Sequence, residues 1–197
     1  YVKNLLQGDL GHSIVYRGPI ASIIWERLEV TLFLIGYGLI FTIIITVVLA
    51  SSAARNQGKK IDHLVRLFCI AGLGLPSFWL GIMFTLFFSI YLGLFPVSGY
   101  GNTFLGHLHH LFLPALTIAI LAAPIVIRNF RATLIKEMAS DYVNAGRSKG
   151  LSERYIFWRH TFRNSLLPVV QLLGVVISWL IGGTFVIETV FAVPGLG

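Results

Sequence analysis

Long uncharged stretches constrain this chain more than any other feature. No Asp, Glu, Lys or Arg stands between Arg66 and Arg128, and none stands between Arg163 and Glu188. A third uncharged stretch covers residues 30–54. The hydrocarbon core of a bilayer is about 30 Å thick, and about 20 apolar helical residues cross it. These stretches therefore predict membrane-spanning segments, and the lack of strand-like alternation favours helices over a barrel.

The number of spans follows from the lengths of these stretches and from the turn signals between them. The stretch after Arg66 is long enough for two spans, and the Pro and Gly residues around Pro96 and Gly99 predict the turn that separates them. Hydrophobic residues make up 56% of the chain and charged residues only 12%, with a mean hydropathy of +0.81. We expect an all-α, polytopic transmembrane helical bundle with four spans, at about residues 30–54, 67–94, 112–127 and 165–187.

The basic residues predict the orientation in the membrane. Of the 15 Lys and Arg residues, 12 fall within two segments, residues 55–66 and 128–164, and only Lys3, Arg17 and Arg27 fall elsewhere. The positive-inside rule places both segments in the cytoplasm. The net charge of +7 is thereby explained by topology, and we expect contact with membrane lipid and no nucleic-acid partner. Long basic side chains such as Arg128 and Arg131 are expected to reach the headgroups at the end of the third span.

This topology predicts the domain organisation. Residues 1–29 are expected to form an extracytoplasmic segment before the first span, and residues 30–197 a transmembrane domain with a cytoplasmic loop at about 128–164. Both chain ends would then lie outside the cytoplasm. Because the chain starts at Tyr1 and stops at Gly197 directly after a Pro-Gly turn, we expect a fragment that lacks at least one span upstream and one downstream.

The loop at 128–164 has the sequence pattern of a folded element. Helical periodicity predicts a helix over residues 132–147, and Gly150 is a suitable C-terminal stop. Ser152 is expected to cap a second helix. In that helix one aromatic-apolar stripe is predicted, and Pro168 is expected near the first turn of the last span. The stripe comprises Tyr155, Trp158, Phe162 and Leu166.

Two explanations of this loop are open from the residues alone. It could be an amphipathic hairpin that lies on anionic headgroups. The small residues Ala139, Ala145, Gly146 and Gly150 instead favour the close approach of another protein surface, since lipid does not require small side chains. A docking element for a cytoplasmic partner is the better hypothesis.

The order of small residues, Gly150, a basic-aromatic helix and Leu167-Pro168 resembles the cytoplasmic loop of ATP-binding-cassette importer permeases. The general form of that loop has Glu-Ala-Ala, three residues, Gly, and later Ile-x-Leu-Pro. Here only Ala145 of the triplet is retained and Leu-Pro falls five residues later, as in the dipeptide, oligopeptide and nickel branch. Five further segments resemble that branch: GDLGHS at 8–13, RLEVTL at 27–32, GLGLPSFWLG at 72–81, FLPALTIAI at 112–120 and ETVFAVPGLG at 188–197.

The resemblance implies a type I importer permease fold in a bacterial plasma (inner) membrane. It implies a subunit that forms half of a pathway for di- or oligopeptides, or for nickel and other metal chelates. The implied partners are a second homologous permease subunit, two ATPase subunits and an extracytoplasmic solute-binding protein. It also implies an ATPase-coupling site that comprises Ser140, Asp141, Ala145, Gly146, Arg147, Lys149, Gly150 and Leu151.

No G-x-x-x-x-G-K-[ST] loop occurs in the sequence, so the chain has no phosphate-binding loop of that type. We therefore expect no catalytic residue and no bound cofactor, with ATP hydrolysis left to partner subunits. A secondary transporter or channel is one alternative, but it predicts ionisable residues at mid-span, which the predicted spans lack. A membrane scaffold that transports nothing is the other alternative, and measured uptake would distinguish it.

Two outward-facing features were considered as sites. His107, His109 and His110 could bind a divalent cation, but histidine is common at membrane interfaces, and we expect no metal site. Glu188 is expected to anchor the Pro194-Gly195 turn, with contact to a docked binding protein as the alternative.

Overall fold

The computed structural model describes residues 10–13 and 18–197. Within these residues the chain is helical, and the only β-type pairing is an isolated bridge between His12 and Pro19. Residues 1–9 and 14–17 lie outside the described part, as do the predictions for Lys3 and Arg17 and the first two residues of GDLGHS. The α-helices are α1 (Ile20–Arg55), α2 (Lys60–Gly74), α3 (Ser77–Phe84), α4 (Phe104–Met138), α5 (Asp141–Ser148), α6 (Glu153–Ile156), α7 (Phe162–Gly183) and α8 (Phe185–Val190). Two π-helical stretches extend them, Thr85–Tyr91 after α3 and Phe157–Thr161 between α6 and α7.

Three continuous helical runs are long and apolar enough to cross a membrane: α1, α4 and Glu153–Gly183. The pair Lys60–Gly74 and Ser77–Tyr91 gives a fourth span if it is counted as one. The prediction of an all-α membrane bundle is confirmed. The span predicted at about 67–94 falls on this pair, which is bent by 107°. Pro76 explains the break, since the residue before a proline is forced out of the α-region, and Leu75 has an extended ψ of 128°.

The first helix starts earlier than the apolar pattern predicts. α1 begins at Ile20, directly after Pro19, so residues 20–29 extend the helix at its N-terminal end. The charged residues Glu26, Arg27 and Glu29 mark the end of the uncharged stretch, but Glu and Arg are good helix formers and do not end a helix. The apolar pattern therefore predicts which part of the helix crosses the membrane, but it does not predict where the helix begins.

Helix α4 is the centre of the bundle. Of its most apolar 18 residues 67% are buried, against 17% in the Glu153–Gly183 run. Glycines let neighbouring helices approach it closely: a Cβ on Gly38 would lie 2.8 Å from Ile118 Cγ2, and one on Gly72 would lie 2.8 Å from Pro124 Cγ. Both glycines therefore mark close helix contacts, through which α4 sets the position of α1 and α2.

Two predictions about the cytoplasmic loop are wrong in detail. The helix predicted over 132–147 is broken at Ala139 and Ser140, because the Ser140 hydroxyl donates to the Glu137 carbonyl (2.6 Å) and the Ser140 backbone is extended. Serine often competes in this way with helix continuation. Pro168 lies inside α7, which begins at Phe162, and not in its first turn. Prolines are tolerated there because membrane bundles re-satisfy the freed backbone groups.

Candidate functional site

The short helix α5 is held between two membrane-spanning runs and exposes most of its surface. Val143 is 1% exposed, and Gly146 is buried as well, whereas the other residues of α5 are exposed. Two inward positions three residues apart give α5 one anchored face and one free face. The predicted coupling residues Asp141, Ala145 and Arg147 lie on the exposed part of this helix.

The N-terminal end of α5 is tied to the end of α4. Ser140 is the N-cap residue, and its hydroxyl bonds to the Glu137 carbonyl at 2.6 Å. The Tyr142 hydroxyl donates to the Glu137 carboxylate, also at 2.6 Å. Asp141 lies in the first turn of α5, where a carboxylate suits the helix dipole. The turn between α4 and α5 is therefore fixed by local hydrogen bonds.

The C-terminal end of α5 forms a Schellman motif. Leu151 N–H donates to the Gly146 carbonyl (3.2 Å), and Gly150 N–H donates to the Arg147 carbonyl (2.9 Å). Gly150 has a φ of +76°, a conformation that glycine adopts without strain. The prediction that Gly150 ends the helix is confirmed.

Gly146 and Gly150 have structural roles within this chain. No atom lies within 4 Å of a Cβ built on Gly150, so its role here is the backbone turn and not close packing. A Cβ on Gly146 would lie 3.4 Å from Ile156 Cδ1, so Gly146 packs inward against α6. Of the four predicted small residues, Gly146 is buried, and Ala139, Ala145 and Gly150 are exposed.

A surface ion pair fixes α5 relative to α6. Arg147 donates to both carboxylate oxygens of Glu153, at 2.7 and 3.2 Å, and to Asn144 Oδ1 at 3.2 Å. The hydrogen bond to Glu153 raises the pKa of Arg147. Both side chains are largely exposed, so the pair contributes orientation more than stability. Ser152 caps α6 as predicted, since its Oγ accepts from Tyr155 N–H at 3.3 Å.

The next residues connect α5 to the membrane-spanning helices. Ile156 is 2% exposed and Phe157 is 5% exposed, and Phe157 belongs to the main hydrophobic core. The Arg55 guanidinium, at the end of α1, lies 5.4 Å from the Phe157 ring centroid. Phe162 packs edge-on against Phe130 of α4, with ring centroids 5.4 Å apart. A displacement of α5 would therefore reach α1, α4 and α7 through direct contacts.

The predicted aromatic stripe is only partly correct. Tyr155 and Trp158 are 49% and 44% exposed, whereas the residues that bury themselves are Ile156 and Phe157. The π-helical stretch Phe157–Thr161 explains the difference, because it changes the number of residues per turn on which the 3.6-residue pattern depends. No feature of the sequence indicated this π-helical stretch.

A buried ion pair near the same end of the bundle was missed in the sequence. Asp62 in the first turn of α2 is 0% exposed and accepts from Arg131 at 2.6 and 2.8 Å, from Arg66 at 3.2 Å and from Gly58 N–H at 2.9 Å. Arg131 was predicted to reach the lipid headgroups, but its guanidinium binds this carboxylate. Asp62 is the only Asp or Glu between Glu29 and Glu137, and that isolation among basic residues could have indicated an internal partner.

At the opposite end of the bundle, Glu188 is buried and holds the C-terminal turn. It is 2% exposed, and its carboxylate accepts from Thr31 Oγ1 and from Gly197 N–H, both at 2.7 Å. Arg27 of α1 donates to the Gly195 carbonyl at 3.1 Å. These bonds correspond to the anchoring role expected for Glu188. Contact with a binding protein stays a prediction.

The three histidines each bond to a different backbone carbonyl. His107 Nδ1 lies 2.8 Å from Tyr100 O, His109 Nε2 lies 3.0 Å from Leu94 O, and His110 Nδ1 lies 2.9 Å from Gly106 O. Within residues 10–13 and 18–197, no group of three or more His, Cys, Asp or Glu side chains could hold a metal ion.

A polar cleft separates α4 from α7. It has a volume of about 310 Å³, and its polar lining residues are Asn129 and Thr133 of α4 and Gln171 of α7. The rest of the lining is apolar and comprises Pro168, Val169, Leu172 and Val175. The sequence contained these residues as isolated polar positions, and the packing of α4 on α7 brings them together.

Comparison with known proteins gives consistent matches along the chain. The family model described as "Binding-protein-dependent transport system inner membrane component" matches residues 43–197. The oligopeptide transport system permease protein AppB of Bacillus subtilis (strain 168) is 34% identical over 203 residues, which cover 100% of this chain and 64% of AppB. The glutathione transport system permease protein GsiC of Escherichia coli (strain K12) is 34% identical over 197 residues, which cover 100% of this chain and 63% of GsiC. The chain thus spans less than two thirds of the length of these relatives.

Proposed function

The chain belongs to the family of binding-protein-dependent transport system inner membrane components, and we propose that it is a permease subunit of an ATP-binding-cassette importer. With a second, homologous permease subunit it would form the translocation pathway. Two ATPase subunits would bind at the cytoplasmic side, and an extracytoplasmic solute-binding protein would deliver the cargo. The names of its relatives favour short peptides as cargo over nickel or metal chelates, since one is an oligopeptide permease and another a permease for glutathione, itself a short peptide.

The geometry of α5 carries this proposal. It is a short helix with a free face, fixed at its N-terminal end by Ser140 and at its C-terminal end by the Gly150 turn. Such a helix can enter a groove of a soluble partner as a rigid unit, because the turn at Ser140 and the Schellman motif at Gly150 hold its two ends within this chain. We assign the ATPase-docking role to its exposed residues, with Ala145 at the closest approach.

Energy would enter the membrane part through contacts behind α5. Closure of the ATPase pair would displace α5, and Gly146 would press on Ile156. Phe157 would pass this displacement to Arg55 at the end of α1, and Phe162 would pass it to Phe130 of α4. Packed interfaces of this kind switch between discrete arrangements, so the spans would move as rigid bodies.

The polar cleft supports a location for the cargo route. Asn129, Thr133 and Gln171 offer uncharged oxygen acceptors for the N–H groups of a peptide backbone, while the Asn129 amide and the Thr133 hydroxyl donate to carbonyls of their own helix. Neutral lining groups bind such cargo weakly enough to release it, whereas a buried charge would retain an oppositely charged peptide. A secondary transporter remains the less favoured alternative, because the ionisable groups of the described spans lie near the helix ends and not at mid-span.

The test is a single substitution in the complete importer with its ATPase and binding-protein subunits. Ala145→Glu places a charged side chain on the exposed face of α5 and is expected to prevent co-purification of the ATPase subunits and peptide-stimulated ATP hydrolysis. Ala145→Ser is the matched control, since it keeps the small volume, and it should retain both. Normal assembly and coupling of Ala145→Glu would refute the docking role of α5.

A further inference from the structure

A second groove lies on the other side of α4, between α4 and α2. Its volume is about 390 Å³, and it combines basic with apolar side chains. The basic residues are Arg66, Arg128 and Arg131, and the apolar wall includes Ile70, Leu73 and Ile127.

The groove is closed at both ends by contacts between α2 and α4. Towards the membrane interior the helices meet where a Cβ on Gly72 would lie 2.8 Å from Pro124 Cγ. Towards the cytoplasm they are joined by the Asp62–Arg131 ion pair at 2.6 Å. Pro124 and Arg131 are one and a half to two helical turns apart, which gives the groove a length of about 10 Å. It is therefore a short groove along the helices that is open at its side, where Ile70 is 70% and Leu73 is 47% exposed.

The charges in the groove are not balanced. Three guanidinium groups face one carboxylate, that of Asp62, which leaves a local charge of +2. Arg66 and Arg131 each use part of their donor set on Asp62. Arg128 is exposed, and its side chain makes no hydrogen bond or ion pair with the residues that the structure describes. The groove thus retains guanidinium donors for an external anion.

The basic end of the groove coincides with the cytoplasmic membrane surface. Arg66 and Arg128 border the long uncharged stretch of the sequence, where the positive-inside rule places the cytoplasmic headgroups. From there the apolar wall follows α2 through Ile70 and Leu73 towards the membrane interior, because residues three or four apart lie on one helix face. A basic entrance followed by an apolar slot matches a phosphate diester followed by an acyl chain.

The groove is separate from the polar cleft described above. Successive residues of an α-helix are rotated by about 100°, so Thr133 lies on the far side of α4 from Arg128 and Arg131, whereas Asn129 borders Arg128. The two sides of α4 also differ in chemistry, since the cleft is uncharged and the groove is cationic. The groove therefore favours a different ligand chemistry from that of the cleft.

We propose that this groove binds one anionic phospholipid of the cytoplasmic leaflet. Arg128, with Arg66, holds the phosphate, and one acyl chain lies along Ile70, Leu73 and Ile127. Basic pockets between transmembrane helices on the cytoplasmic side bind phospholipid headgroups in this way. The bound lipid bridges α2 and α4 next to the Asp62–Arg131 pair and so stabilises the arrangement from which α4 continues to α5.

The experiment uses the complete importer in lipid nanodiscs of phosphatidylcholine with or without phosphatidylglycerol. Native mass spectrometry after mild delipidation counts the phosphatidylglycerol molecules that stay bound. Arg128→Gln keeps the length and polarity of the side chain but removes its charge, and retention is expected to fall roughly tenfold, the effect of one charge-assisted contact. Leu73→Trp, which fills the slot, is expected to reduce retention as well. Arg163→Gln, at an exposed basic residue of α7 outside the groove, is the matched control and should bind like the unmodified protein.

Three results would overturn the proposal. Equal retention by Arg128→Gln and Arg163→Gln would mean that phosphatidylglycerol binds by general charge. If soluble glycerol phosphate displaces bound phosphatidylglycerol as effectively as added lipid does, the groove is a site for small anions. Efficient cross-linking of a cysteine at Ile70 to another subunit would mean that protein fills the groove. Peptide-stimulated ATP hydrolysis is measured on the same samples, so failure here with hydrolysis intact leaves the proposed transport function standing.

Discussion

The buried carboxylate of Asp62 gives the sharpest prediction about stability. Asp62 is 0% exposed and accepts two hydrogen bonds from Arg131, one from Arg66 and one from Gly58. Removal of one partner from a buried ion pair costs about 3–5 kcal/mol, because the other charge stays buried without compensation. The Arg131 side chain is 20% exposed and can regain some water, so we expect Asp62→Ala to lower the free energy of unfolding by about 3 kcal/mol.

Two further single variants and one double variant separate the buried ion pair from the exposed one. The Arg66 side chain is 48% exposed, and Arg66→Gln is expected to cost less than about 1 kcal/mol. Arg131→Met alone leaves the Asp62 charge poorly compensated and should cost about as much as Asp62→Ala. The double variant Asp62→Ala/Arg131→Met leaves no uncompensated charge, so it should be more stable than the sum of the two single effects predicts, by roughly 2 kcal/mol.

The assay is equilibrium unfolding of the full-length permease in mixed detergent micelles, followed by circular dichroism. The double-mutant cycle isolates the coupling between Asp62 and Arg131. The predicted coupling between Asp62 and Arg131 is refuted if Asp62→Ala costs no more than Arg66→Gln, or if the two single effects add in the double variant. Either result would mean that water or another chain compensates the carboxylate.

Two other sites give predictions that the same assay can check. Glu188→Ala is expected to lower the free energy of unfolding by about 2 kcal/mol, because it leaves the Thr31 hydroxyl and the Gly197 N–H without their acceptor. Glu188→Gln keeps an acceptor oxygen and should cost less. Equal losses in the two variants would argue against these bonds. Gly150→Ala is expected to lower the free energy of unfolding by about 1 kcal/mol, since φ is +76° at this residue. Gly146→Ala should be close to neutral, because its new Cβ would meet Ile156 at an ordinary distance of 3.4 Å. A loss at Gly146 as large as that at Gly150 would contradict the Schellman assignment.

Much of the membrane architecture could be predicted from the sequence. Bilayer thickness fixes how many apolar residues a span needs, so uncharged stretches identified the spans, and the positions of Lys and Arg predicted their orientation. The caps of the cytoplasmic loop were also local enough to predict: Gly150 ends one helix and Ser152 begins the next. In both cases the determining interaction lies within a few residues of the chain.

The packing decided what distant residues do for each other. The sequence predicted that Arg131 contacts lipid headgroups, but in the fold it binds Asp62, which is 69 positions away in the chain. The sequence suggested that Gly146 is open to a partner, but the Ile156 side chain covers it. The π-helical stretch after Ile156 places Phe157 on the buried face and leaves Trp158 exposed. Hydrophobic pattern determines which segments enter the membrane, because that depends on the segment alone. Which charges are compensated, and which small residues stay free for a partner, depends on contacts that exist only once the helices have packed.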